Sequence, residues 1–221
     1  MKHPVRILII LFCFAPNASG QEDGRSLKII DDVSVKFKTH PSVSVDFSAT
    51  VTQLQDKSEN EFSGKIWLKK DKYKLEVPEY VIYFDGEKIY QYLPDVKEVN
   101  VSRPDANEKD EDIQMLDPRT FFGLSARNFK SKLIKESRQY GRQVYEVDLY
   151  PVDVKNTKYS RIRVYIEKST SQLVYLKAFL KNGSQYTFVF DRYNILQALP
   201  DTFFTFNTAE HPGVEVIDLA F

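Results

Sequence analysis

The stretch Phe62-Ser63-Gly64-Lys65-Ile66-Trp67-Leu68-Lys69-Lys70, followed by Tyr73-Lys74-Leu75-Glu76-Val77, then Val81-Ile82-Tyr83-Phe84-Asp85-Gly86-Glu87-Lys88-Ile89-Tyr90-Gln91-Tyr92-Leu93-Pro94 and finally Val96 to Val101, decides the fold. Apolar and polar side chains alternate through it, which is the period of a half-buried strand. Asp85-Gly86 is a good two-residue hairpin turn. Four short strands in a row therefore follow, rich in aromatics and poor in the residue types that carry catalysis.

The alternation extends outward on both sides. Val43, Val45, Phe47, Ala49 and Val51 interleave with Ser44, Asp46, Ser48, Thr50 and Thr52, a further half-buried strand. Upstream the period changes: Leu27, Ile30, Val33 and Phe37 recur every three or four residues, which predicts an amphipathic helix from about Ser26 to Lys38, ended by His40-Pro41. Downstream, Asp105 to Asp112 holds five acidic residues and one Lys and interrupts the strands. Ile113-Gln114-Met115-Leu116 and Thr120-Phe121-Phe122-Gly123-Leu124 then read as two short helices. Strands resume near Lys132 and run through Arg142 to Tyr150, Tyr159 to Glu167, Leu173 to Leu180 and Ser184 to Arg192, with turns at Tyr140-Gly141 and Asn182-Gly183.

Nine or ten strands joined by hairpins form an antiparallel meander, and their twist curls it into an open, unclosed β-barrel. The fold class expected is mainly β (α+β): a half-barrel with an N-terminal helix and short lid helices covering an apolar cavity. Every second side chain faces inward, so Val45, Phe47, Ile66, Leu68, Leu75, Ile82, Phe84 and Ile89 form the candidate acyl-chain wall. Met115, Leu116, Phe121, Phe122 and Leu124 form the candidate lid. Core packing accounts for the same apolar residues without a ligand, and periodicity alone does not separate the two. Trp67, Tyr83, Tyr90 and Tyr92 alternate with the wall residues and belong to the opposite face.

The first 20 residues read as a secretory signal peptide: Lys2, His3 and Arg6, an apolar run from Ile7 to Ala15, and Ala18-Ser19-Gly20 before Gln21. That run is shorter than the roughly 20 residues a membrane span needs. Phe12 sits where a lipoprotein processing site wants a small residue, so Cys13 is not expected to be lipidated. Cleavage after Gly20 removes the one Cys and takes Lys2 and Arg6 from 31 basic residues, leaving 29 against 31 acidic ones, a net charge of −2. Disulfides and cysteine catalysis are excluded, and a near-neutral chain lacks the basic face of a nucleic-acid binder. Residues 21–221 show no composition shift that would mark a second domain.

Catalytic constellations are absent. His40 and His211 each precede Pro in a turn and have no zinc-ligand spacing. There is no G-x-S-x-G elbow and no Gly-rich phosphate loop. The acid runs Asp31-Asp32 and Asp110-Glu111-Asp112 and the basic residues Lys158, Arg161, Arg163 and Lys168 read as solvated surface. An enzyme is not expected, nor a cofactor or metal.

The central block resembles the core signature of the LolA family, the periplasmic carriers of bacterial lipoproteins. Thr120-Phe121-Phe122-Gly123-Leu124-Ser125-Ala126-Arg127-Asn128 is similar to the family's segment after the middle strands. Phe204-Thr205-Phe206-Asn207, followed by His211-Pro212-Gly213-Val214-Glu215-Val216-Ile217-Asp218, resembles its C-terminal ending. The resemblance implies a monomeric Gram-negative periplasmic chaperone. Its cargo would be triacylated lipoproteins, taken from an inner-membrane releasing ABC transporter (LolCDE-like) and delivered to an outer-membrane acceptor (LolB-like). A lipid-sensing regulator or a glycolipid-binding module on the same half-barrel is the alternative. Where proteobacterial members of the family carry an Arg-Pro pair whose Arg latches the lid, this chain has Lys70 and Asp71. Lys70 is the positional candidate for the latch, with a point charge in place of a planar fork.

Overall fold

The computed structural model describes residues 19–104, 117–122 and 128–219, with side chains from Gly24 onward and those of Thr120 and Phe121 excepted. The proposed signal-peptide core with Cys13, the acidic run from Asp105, and the lid residues Met115, Leu116 and Leu124 lie outside the described residues. So does the Phe121 side chain.

Helix α1 spans Ser19–Lys38. It begins before the Ser26 that apolar periodicity marks, because Ser19 to Arg25 carries no apolar residue to show a face. Six strands follow in meander order: β1 (Ser42–Thr52), β2 (Glu59–Lys69), β3 (Lys72–Glu76), β4 (Val81–Phe84), β5 (Ile89–Leu93) and β6 (Glu98–Ser102). A short helix, α2 (Pro118–Phe122), precedes a second meander of β7 (Phe129–Gln139), β8 (Arg142–Pro151), β9 (Tyr159–Glu167), β10 (Leu173–Leu180) and β11 (Gln185–Leu196). A last strand, β12 (Glu215–Asp218), closes the order.

All twelve strands form one unclosed sheet, ordered β12-β6-β5-β4-β3-β2-β1-β11-β10-β9-β8-β7. The two meanders meet where β1 pairs antiparallel with β11, Ser42 opposite Leu196 and Thr52 opposite Gln185. This is the mainly β half-barrel that the alternation predicts, with twelve strands in place of nine or ten. Two strands go beyond ten: β5, because the run from Val81 to Pro94 divides at its Asp85-Gly86 turn into β4 and β5, and β12, which lies parallel to β6 with Val216 opposite Val99. Four residues, three of them exposed, give it no alternation to read.

The concave face holds one apolar core. Across it, Val45 stands opposite Ile66, Ile66 opposite Leu75 and Leu75 opposite Ile82. Ile29, Ile30 and Val33 of α1 are buried against the same cluster, together with Val147, Leu149, Ile162, Val164, Leu176, Phe188 and Phe190 of the second meander. α1 is tied to β7 by the Ser26 hydroxyl on Ser131 (2.8 Å between the two Oγ atoms) and by an ion pair between Arg25 and Glu136. Gly64 permits one close approach in this core. A Cβ there would lie 2.5 Å from the Glu76 carbonyl oxygen and 2.6 Å from the Phe47 ring, which occupies the space directly opposite.

The convex face has its own cover, made by the segment after β11. Phe203 packs on Trp67 with ring centroids 5.8 Å apart, and Phe206 on Tyr92 at 5.1 Å and Tyr83 at 5.8 Å. His211 stacks on Phe206 at 4.6 Å, which gives this turn histidine a structural role. The aromatics that alternate out of the wall are thus on the opposite face, as the pattern requires. In the second meander the outer face sets charged groups among aromatics: Arg163 grips the buried Asp148 through two hydrogen bonds of 2.7 and 2.9 Å, and Arg161 reaches the same carboxylate at 3.2 Å while lying over the Phe179 ring. Burial pushes the Asp148 carboxyl up, but the two guanidiniums outweigh it and hold it below the ordinary range. Arg161 and Arg163 are accordingly fixed partners of a buried acid and not freely solvated charges.

Asp201 pins the convex cover. Lys69 Nζ lies 2.7 Å and Lys72 Nζ 3.0 Å from its oxygens. The hydrogen bond from Lys69, then that from Lys72, hold its carboxyl down to about 2. A carboxyl depressed in the fold contributes its stabilisation in full above the ordinary pKa of about 4 and loses it as pH falls through about 2. Asp201 is expected to titrate in NMR with a midpoint near 2. Because Trp67 is the one tryptophan and packs on Phe203 beside this anchor, its emission should move to the red in Asp201→Asn at neutral pH. Unchanged emission would release Asp201 from that role.

Candidate functional site

The candidate pocket lies at the end of the barrel where α1 stops, β1 starts and β2 turns into β3. It encloses about 560 Å³ and is lined by Ser34, Phe37, Lys38 and His40 around the end of α1, Val43 and Leu68 on the sheet, Lys70 and Asp71 in the β2–β3 turn, and Pro118, Arg119 and Phe122 of α2. That volume is in the range that holds one drug-sized ligand. Val43 and Leu68 are register partners across β1 and β2, so the floor is a cross-strand pair. The roof is aromatic: Phe122 contacts Phe37 with ring centroids 4.4 Å apart and Phe190 at 5.4 Å.

Of the eight wall candidates only Leu68 borders this pocket. Val45, Phe47, Ile66, Leu75, Ile82 and Phe84 face the same concavity but are buried in the packed core beneath it, at 3% exposure or less. Ile89 is half-buried against its rim. The register puts all eight on the concave face, and of them the one nearest the open end lines this recess. Residues outside the wall and lid candidates complete the site: Phe37, His40 and Val43 on one side, Pro118 and Arg119 on the other. They come together only because the end of α1 folds over the β2–β3 turn, a contact between distant stretches of chain.

Among the lid candidates, Phe122 is described and stands over the pocket. The helix that carries it is held by its own arginine. Asp117 accepts hydrogen bonds from the Arg119 backbone N–H at 2.8 Å and from its guanidinium at 2.5 to 3.0 Å. So oriented, the guanidinium carbon sits 4.2 Å from the centroid of the Phe84 ring and 5.8 Å from that of Tyr73. Burial first, and the Asp117 carboxylate second, push the Tyr73 phenol well above its ordinary range, so it presents a neutral ring to the cation.

Lys70, the positional candidate for the latch, stands at the rim of the pocket. It is exposed, in left-handed conformation with φ 55°, and has no hydrogen-bond or ion-pair partner among the described residues. The clasp runs in the other sense, from Arg119 on the helix to the aromatic wall. A partly buried cation–π contact contributes about 1 kcal/mol. Arg119→Ala is therefore expected to raise amide hydrogen exchange in α2 by about fivefold, leaving exchange in β2 and β3 unchanged. Equal exchange in α2 would show that Phe122 alone holds the helix.

Among the described residues no three His, Cys, Asp or Glu side chains lie close enough together to hold a metal ion, and no helix is long and apolar enough to cross a membrane. What the arrangement offers chemically is an apolar recess with charged groups at one rim and a short helix as its cover.

A family model described as outer membrane lipoprotein carrier protein LolA matches residues 38–207. Three solved structures share the fold. A domain classed as an outer membrane lipoprotein-sorting protein from Vibrio parahaemolyticus has a TM-score of 0.53 and 11% identity over 83% of this chain and 97% of its own. A protein from Thermus thermophilus has a TM-score of 0.54 and 10% identity over 90% and 99%. A DUF1329 family protein from Desulfovibrio piger has a TM-score of 0.52 and 15% identity over 85% and 98%. At these identities the likeness is one of fold. No curated protein matches the sequence.

Proposed function

We infer from membership of the LolA family of outer membrane lipoprotein carrier proteins, to which this chain belongs, that it is a periplasmic carrier. It shelters the acyl chains of lipoproteins released from the inner membrane and delivers them to the outer membrane. LolA-like proteins bind lipid or lipoprotein ligands and are typically periplasmic. The observation that supports extending this to the present chain is the recess of about 560 Å³ floored by Val43 and Leu68 and roofed by Phe37 and Phe122.

The physical need is clear. Each buried methylene contributes about 0.8 kcal/mol, so a multiply acylated protein does not cross water unaided at a useful rate. A recess of this size takes one chain without rearrangement; a triacyl anchor needs α2 to lift and the core beside it to open. In this reading α2 is the movable lid. The carrier is made with a signal peptide cleaved after Gly20 and acts as a single-domain monomer without enzymatic chemistry. It receives cargo from an inner-membrane releasing transporter and hands it to an outer-membrane acceptor.

Native mass spectrometry of protein isolated from the periplasm tests the proposal. A mature chain starting at Gln21 with a triacylated lipoprotein bound is the expected result. Protein carrying no acylated ligand, even after incubation with inner-membrane vesicles and the releasing transporter, would contradict it.

A further inference from the structure

The recess has a charged rim at one side only. Lys38, in the last turn of α1, and Lys70, in the β2–β3 turn, both line it and are both exposed, and neither has a hydrogen-bond or ion-pair partner among the described residues. The remaining rim charges are differently placed. Arg119 is saturated by the Asp117 carboxylate, leaving that pair neutral overall. Asp71, also on the rim, has no ion pair with Lys70 or any other described residue, so the described rim residues sum to one excess positive charge. The carbonyl end of α1 adds about half a negative charge, which the two ammoniums exceed. Inward of this rim the lining is Phe37, Val43, Leu68 and Phe122, with Ser34 the one small polar group.

An apolar recess whose mouth holds two ammoniums without an ion-pair partner among the described residues is complementary to a chain that ends in an anion. We propose that this site, read as an acyl-chain pocket as above, also takes single-chain lipids with an anionic head group, a carboxylate or a phosphate, recognised by Lys38 and Lys70. The chain lies on Val43 and Leu68 beneath Phe122, and the head group stays at the rim, where it remains partly hydrated. Such an amphiphile differs from the N-acylated anchor of a mature lipoprotein, which has no anion next to its chains, so the activity is separate from lipoprotein transfer. Lysine suits this use, because a compact point charge on a flexible stem meets either head group without demanding a planar geometry.

Displacement of a fluorescent acyl probe by decanoate, decyl phosphate and decanol tests this, at low salt, with the wild type and with a Lys38→Gln/Lys70→Gln variant. Both lysines are exposed, so the variant is expected to keep its circular dichroism and melting point. The wild type should hold both anions about tenfold more tightly than decanol, the size of two exposed charge pairs together. The variant should reduce that ratio to under twofold with decanol affinity unchanged, and added salt should do the same to the wild type. A tighter decyl phosphate identifies a phospholipid-type head group as the natural one, and a tighter decanoate a fatty acid. If decanol binds as tightly as the anions, or the variant keeps the preference, the head-group inference is wrong while the acyl pocket stands. If none of the three displaces the probe, the pocket reading fails and this inference with it.

Discussion

Replacing Leu68 with glutamate is expected to weaken acyl-chain binding about a hundredfold in a protein that still folds. Leu68 is 9% exposed and belongs to the pocket floor, beside its register partners Val43 and Tyr73. In the empty pocket the new carboxylate can turn toward the water at the mouth. When a chain enters, the carboxylate must give up that water or take up a proton. A penalty of about 3 kcal/mol for an unpaired polar group shut in an apolar site corresponds to about two decades in affinity. Circular dichroism establishes the fold and an acyl-probe titration the affinity. Undiminished affinity in the folded variant would remove Leu68 from the ligand's path.

Phe47→Ala is expected to do the opposite, lowering unfolding free energy by about 3 to 5 kcal/mol while changing acyl affinity of the folded protein by less than threefold. Phe47 is 3% exposed, and its ring contacts Phe62 at 6.3 Å and Phe188 at 6.0 Å between centroids while lying over Gly64. It does not border the pocket. The cavity left by its removal is surrounded by packed neighbours that relax only in part, which is where a large cost comes from. Urea unfolding measures it. A loss under 1 kcal/mol together with a marked fall in affinity would place Phe47 in a ligand-accessible cavity and make the whole concave face the binding wall.

The contrast between these two side chains marks how far the sequence can be read. Alternation puts Phe47 and Leu68 on one face, and the structure agrees, because strand geometry allows nothing else. Which of them a ligand can touch depends on depth along the barrel, and depth is set by where α1 ends and how the β2–β3 turn meets α2. Phe37 and Phe122 are 4.4 Å apart in space but separated in the chain by the whole first meander, so no local pattern announces the roof.

The same reason hid Arg119. Its partner Asp117 is two residues away and legible, but the Phe84 and Tyr73 rings it covers are not. Lys70 was indicated by a motif position, and a motif does not report that the backbone there turns left-handed and points the side chain to solvent. The beginning of α1 and strand β12 were illegible for a third reason. Both are polar over most of their length, and an element without an apolar face leaves no period to detect.

The central claim is that acyl chains enter between α1, the β2–β3 turn and α2. Its most direct test is methyl NMR of the protein with a spin-labelled fatty acid. The label should broaden the Val43 and Leu68 methyl signals and spare those of Val99 and Val101, which lie buried on the convex side beside β12. Broadening of Val99 and Val101 with Val43 and Leu68 untouched would place the lipid under the C-terminal cover and contradict the account.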